Sequence, residues 1–133
     1  MLTQEAFIKS HLLTYLWRFR KVEGLSGMTG IGCVLRNRVL SGWFAGDWLS
    51  VIKDTVERSQ FANIEFPDMR DPLFARLVWK VESIFDNTID DITNGGKYWT
   101  VLAEATEEFK KTIIQHPEDH PRLSNVGGIY FFG

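Results

Sequence analysis

With 133 residues, 44% of them hydrophobic, the chain has the length of one domain and enough apolar material for a real core, which argues against a second domain and against disorder over most of its length. Fifteen basic side chains against seventeen acidic ones leave a net charge of −2, without the concentrated positive field that holds a phosphate backbone, so nucleic-acid binding is not expected. No apolar stretch approaches a membrane span, and Met1-Leu2-Thr3-Gln4-Glu5 has neither the basic n-region nor the apolar h-region of a signal peptide, so the expectation is a protein made in the cytoplasm without a membrane segment.

The first predicted element is a helix over about residues 4–22, where Ile8, Leu12, Tyr15, Phe19 and Val22 recur at a spacing of four and three and draw one stripe down a cylinder. Arg18, Arg20 and Lys21 fall in its last turn, where cations suit the carbonyl end of the dipole, and Gly24 offers a stop. A second helix is expected over about residues 29–40, with Ile31, Val34, Leu35 and Val39 inward and Gly30 and Gly32 permitting another backbone to come close. It carries the polar triplet Arg36-Asn37-Arg38 beside its core stripe. Asp47 is placed to cap a short helix through Ile52, and residues 58–67 read as an irregular loop.

Asp71-Pro72 is a strong helix start, Asp at the cap and Pro at the first helical position, and Leu73, Leu77, Val81 and Ile84 follow on one face to about Phe85. Residues 87–96, rich in Asp, Asn, Thr and Gly, turn the chain into an aromatic, β-leaning run, Tyr98-Trp99-Thr100-Val101-Leu102. A helix over about residues 104–115 ends before Pro117 and Pro121. Gly127-Gly128-Ile129-Tyr130-Phe131-Phe132 closes the chain as a strand able to pair with residues 98–102. The fold class expected is therefore α+β, mainly helical, with a small antiparallel sheet.

Glu23 continues the Ile8-Leu12-Tyr15-Phe19 stripe by one further i+4 step. If it borders the interior, burial raises its pKa and suits it to general acid work on a glycosidic bond; if the helix frays there, it turns to solvent. His116 and His120 stand four apart, but Pro117 and Pro121 spoil the helix that would aim both at a metal, so no metal or other cofactor is expected. Cys33, flanked by Gly32 and Val34, reads as a small buried thiol; His11 as its base finds no orienting partner. Polar residues stand beside aromatic or apolar ones at Gln60-Phe61, Asp90-Asp91-Ile92-Thr93 and Lys97-Tyr98-Trp99, a mix that suits a carbohydrate groove and an ordinary half-buried surface alike.

In order along the chain these pieces resemble the SleB-type cell-wall hydrolase family, in its short, single-domain phage and prophage form. Glu23-Gly24-Leu25-Ser26-Gly27-Met28 is similar to the family's Glu-x-x-x-Gly-Met segment, and Gly32-Cys33-Val34-Leu35-Arg36-Asn37-Arg38-Val39 to its helix ending in Asn-Arg-Val. Gln60-Phe61 looks like its Gln-Phe pair, with Ala62 in the usual Ser or Thr position. The run from Asp90 through Thr93 to Tyr98-Trp99 resembles its Asp-x-Thr-x-Gly-Ala segment followed by Tyr, and the closing strand resembles Gly-x-His-x-Phe-Tyr, with Ile129 in place of His.

The resemblance implies a lysozyme-like fold over one domain, residues 1–133, and action on peptidoglycan glycan strands by one acid/base carboxylate, without a metal. It also carries a departure. The family's Glu-Ala-Arg-Gly-Glu reads Phe19-Arg20-Lys21-Val22-Glu23 here, so Phe19 stands where the resemblance puts the proton donor, and a phenyl ring donates no proton. Two readings stay open. In one, the chain is a peptidoglycan hydrolase with Glu23 as a relocated acid, although one helical turn displaces it by about 5–6 Å. Asn37, Gln60, Phe61, Asp91, Thr93, Tyr98 and Trp99 then line the glycan groove beside Phe19, and release to the cell wall falls to a holin. In the other, the chain is an inactive binding protein that holds a glycan or a small signalling ligand in the old cleft. Oligomeric state is not legible.

Overall fold

The computed structural model describes residues 3–58, 66–115, 118 and 123–133. Gln60, Phe61, His116 and His120 lie outside the described residues.

Helix α1 spans Gln4–Trp17 and is capped by Thr3, whose side chain accepts the N–H of Ala6. It is shorter than its stripe predicts. The chain leaves helical geometry at Phe19 and enters α2, Arg20–Leu40, so the expected single helix to Val22 is two helices meeting at Phe19. The basic residues explain part of this break: Arg20 turns back and donates from Nη1 to the carbonyl of Trp17 at 3.1 Å, satisfying an orphan acceptor at the end of α1. A second break lies inside α2, where Glu23 (φ −138°, ψ 28°) and Gly24 (φ 57°, ψ −141°) are non-helical. A backbone of that sign suits glycine, so Gly24 kinks the entry to α2 where the sequence suggested a stop.

From Leu25 onward α2 is the axis of the domain, touching α1, α3 (Trp48–Arg58), α4 (Pro72–Phe85) and the sheet. Leu12, Leu16, Met28, Ile31, Val34, Leu35, Leu77 and Ile84 are fully buried between these helices. Asp47 starts α3 by accepting the N–H of Leu49 at 3.0 Å, and the helix continues past Ile52 to Arg58. Asp71 caps α4 on the N–H of Leu73 with Pro72 in the first turn, as its signature predicts.

Strands β1 (Tyr98–Val101), β2 (Ser124–Val126) and β3 (Ile129–Phe132) form an antiparallel sheet in the order β1-β3-β2, with Tyr98 opposite Phe132 and Val101 opposite Ile129. The remaining helix, α5, covers Glu107–Gln115. Ile129 and Phe131 point from β3 onto α2, and the Phe131 ring lies over Gly30, where a Cβ would overlap it. The architecture is α+β, mainly helical with a small antiparallel sheet. No helix among the described residues is long and apolar enough to cross a membrane.

Candidate functional site

Where α1, α2 and α3 meet β1, a cleft of about 750 Å³ opens between helices and sheet. Its floor holds Tyr15 of α1, Phe19 at the α1–α2 junction and Arg38 of α2; Thr55 and Arg58 come from α3, and β1 supplies a wall through Tyr98 and Trp99. Phe19 is buried, 6% exposed, with its ring edge-on to Tyr15 at 5.5 Å and to Trp99 at 6.2 Å between centroids. Such contacts stabilise the pair beyond the area they bury, so Phe19 is a packed piece of the cleft floor.

Arg38 is the unusual member, a cation that is 7% exposed in an aromatic setting. It occurs there because it follows Val34 by four residues and Leu35 by three, on the inward stripe of α2. Its guanidinium lies 5.0 Å from the Trp43 ring centroid, 5.3 Å from Trp99 and 5.6 Å from Tyr98, while Nε donates to the carbonyl of Lys97 at 2.8 Å and Nη1 to Thr55 Oγ1 at 3.0 Å. Burial lowers its pKa, an effect that nearby Tyr15 and Tyr98 oppose, and an arginine so placed keeps its charge. Among the described residues no carboxylate pairs with it. Burial also pushes the Tyr15 hydroxyl up to about 12, against the pull of Arg18 and Arg38, so the phenol stays a neutral donor near pH 7.

Glu23 is not among the residues lining this cleft. The breaks at Phe19 and at Glu23-Gly24 take it off the stripe that an unbroken helix would have continued, and its Oε1 accepts the N–H of Gly128 at 2.6 Å in the β2–β3 turn. Gly127 in that turn has φ +54°, and a Cβ on it would overlap the Glu23 carboxylate. The carboxylate therefore clamps a glycine turn. The acidic side chain on the cleft wall is Glu104, exposed beyond the end of β1.

Asn37, Asp91 and Thr93 come together, but they line no part of the cleft in which the resemblance placed them. Asn37 Nδ2 reaches Asp91 Oδ2 at 2.9 Å, Thr93 Oγ1 at 3.2 Å and the carbonyl of Gly96 at 2.9 Å. Asp91 in turn accepts the Thr93 hydroxyl at 2.6 Å and the N–H groups of Thr93 and Gly95, each at 2.9 Å. Burial works against ionisation of Asp91, yet the Thr93 hydroxyl, the Asn37 amide and the two N–H donors outweigh it and hold the carboxyl below its usual range. This network ties the loop before β1 to α2.

No family model, curated protein or solved structure matches the chain.

Of the residues singled out in the sequence, the structure thus brings Phe19, Tyr98 and Trp99 to one cleft, assigns Asn37, Asp91 and Thr93 to a loop anchor, and puts Glu23 on the turn. Arg38, Thr55 and Arg58 went unnoticed as site residues. A signal existed for one of them, since an arginine on the Ile31-Val34-Leu35 face has to be buried and to find partners. Cys33 is fully buried, its thiol raised to about 11 by burial, with the Asp90 carbonyl 4.0 Å from its sulfur; His11 packs edge-on against Phe7. The described residues hold no group of His, Cys, Asp and Glu able to bind a metal.

Proposed function

We propose that this chain is a SleB-like domain of lysozyme-like fold that has given up glycan cleavage and uses the cleft to hold a ligand. The observation that carries this reading is Phe19. At the position where the resemblance expects the proton donor, the side chain is a buried ring wedged between Tyr15 and Trp99. Removing a carboxylate that protonates a leaving oxygen forfeits general acid catalysis, a contribution of about 10²–10⁴ in rate.

The arrangement at Glu23 supports the same reading. A relocated acid has to reach the scissile oxygen within about 3 Å, whereas the Glu23 carboxylate is engaged by the backbone of Gly128. The binding reading retains what a glycan or ring-bearing ligand needs, a concave site with aromatic walls and a few convergent polar groups. Peptidoglycan strands or a small ligand are accordingly the partners to test.

The test is release of soluble fragments from purified peptidoglycan by the wild type and by Phe19→Glu, Glu23→Gln and Glu104→Gln. No release by the wild type, with release gained in Phe19→Glu, is the expected result. Release by the wild type that disappears in Glu23→Gln or Glu104→Gln overturns the reading and makes the chain a working hydrolase.

A further inference from the structure

Resting on the reading of the cleft as a ligand site, the way Arg38 is held identifies the chemistry of what it takes. Both the Nε and the Nη1 of this guanidinium have protein acceptors, the Lys97 carbonyl and Thr55 Oγ1. The Nη2 nitrogen has none among the described residues, and it is not sealed from solvent, since the fully buried side-chain nitrogen without a partner among those residues is Arg36 Nε. With Trp43, Tyr98 and Trp99 gathered about the guanidinium, the open direction for its remaining N–H groups is the cleft that Arg38 lines.

A buried cation without a carboxylate partner loses solvation that three rings and two neutral oxygens restore in part. An anion entering the cleft completes that set. Arg58 stands on the same wall, largely exposed, with its Nε engaged by Asp54 at 3.0 Å, so a second guanidinium, partly neutralised, stands at the mouth. Thr100 adds a hydroxyl to the lining. Val101 and, exposed beyond the end of β1, the Glu104 carboxylate also line the cleft; the remaining wall is aromatic, which favours a ring or a sugar face beside the charged group.

We propose that the cleft binds a small ring-bearing oxyanion, its carboxylate or phosphate accepting from the free Arg38 Nη2 edge, with Arg58 at the rim and the ring against Tyr98 and Trp99. Arginine suits this task because its planar fork offers parallel donors to a carboxylate or phosphate while its stem and faces pack among rings.

Calorimetric titration with two matched pairs tests it. N-acetylmuramic acid and N-acetylglucosamine share a sugar ring and differ by a carboxylate-bearing arm; adenosine 5′-monophosphate and adenosine share a base and differ by a phosphate. The expected result is that in at least one pair the acid binds about tenfold or more tightly than its neutral partner, since a charge-assisted hydrogen bond is at stake. The pair that responds tells carboxylate from phosphate. Arg58→Ala, an exposed change, lowers the affinity of the acid, and Arg38→Gln abolishes the preference. Where Arg38→Gln loses its native circular dichroism, the Arg58→Ala effect and a fall in affinity with added salt decide. Equal binding of acid and neutral partner, or no binding by any of the four probes, overturns the inference. Fragment release from peptidoglycan, measured separately, bears on the loss of cleavage and leaves the oxyanion preference standing or falling by itself.

Discussion

Glu23 and Gly127 are a matched pair, and their roles separate on substitution. Gln in place of Glu23 keeps an oxygen for the Gly128 N–H, so Glu23→Gln is expected to lower stability by less than about 1 kcal/mol, and Glu23→Ala, which leaves that donor without its acceptor, by about 1–3 kcal/mol. Gly127→Ala combines a side chain at positive φ with an overlap on the carboxylate and is expected to cost more, about 2–4 kcal/mol. Urea denaturation of the three variants checks the order; a Gly127→Ala protein as stable as the wild type would show that the turn is not clamped. In the sequence Glu23 stood open between the border of the core and solvent. Its partner was not legible, because a hydrogen bond across 105 positions leaves no periodic trace. Phe19 was legible as a departure from a motif, and its two aromatic neighbours as separate pieces, Tyr15 by helical spacing and Trp99 by its strand.

The loop before β1 is an element that responds to pH. Asp91 is held as an anion by the Thr93 hydroxyl, the Asn37 amide and backbone donors, so its folded pKa lies below the value near 3.9 of an unfolded aspartate. The stabilisation this brings is full above that unfolded value and is lost as pH falls through the folded one, since the unfolded chain takes up the proton first. Thermal melts between roughly pH 5 and pH 2 are therefore expected to fall less steeply in Asp91→Asn than in the wild type. An unchanged slope would mean that other carboxylates carry the acid sensitivity. Asn37→Ala, which removes a donor from three acceptors at once, is expected to cost about 2 kcal/mol. At this scale the sequence spoke well where a cap and a period agreed, as at Asp71-Pro72 and in β1 and β3. It misled at residues 18–24, where an apolar period ran on through two breaks, because the period records which side chains want burial and is silent on whether the backbone between them bends.

Across the whole molecule, Cys33 is a reporter of opening. It is fully buried and its thiol is pushed up to about 11, so little of it is thiolate near pH 8 and none of it meets solvent in the native state. Maleimide labelling is expected to proceed at the rate at which the helical core opens and to accelerate steeply with denaturant. Labelling at the rate of a free thiol in native buffer would contradict the packing of α2. The same helix meets every other layer of the fold, and its glycine face is covered by the strand that comes last in the chain, since Phe131 of the central strand β3 lies over Gly30. Translation makes α2 first and β3 afterwards. At roughly 5–20 residues per second, the ribosome adds about a hundred residues, over some 5–20 s, between Gly30 and the ring that shields it, and through that interval nascent α2 carries an uncovered apolar seam that its own helices cannot close.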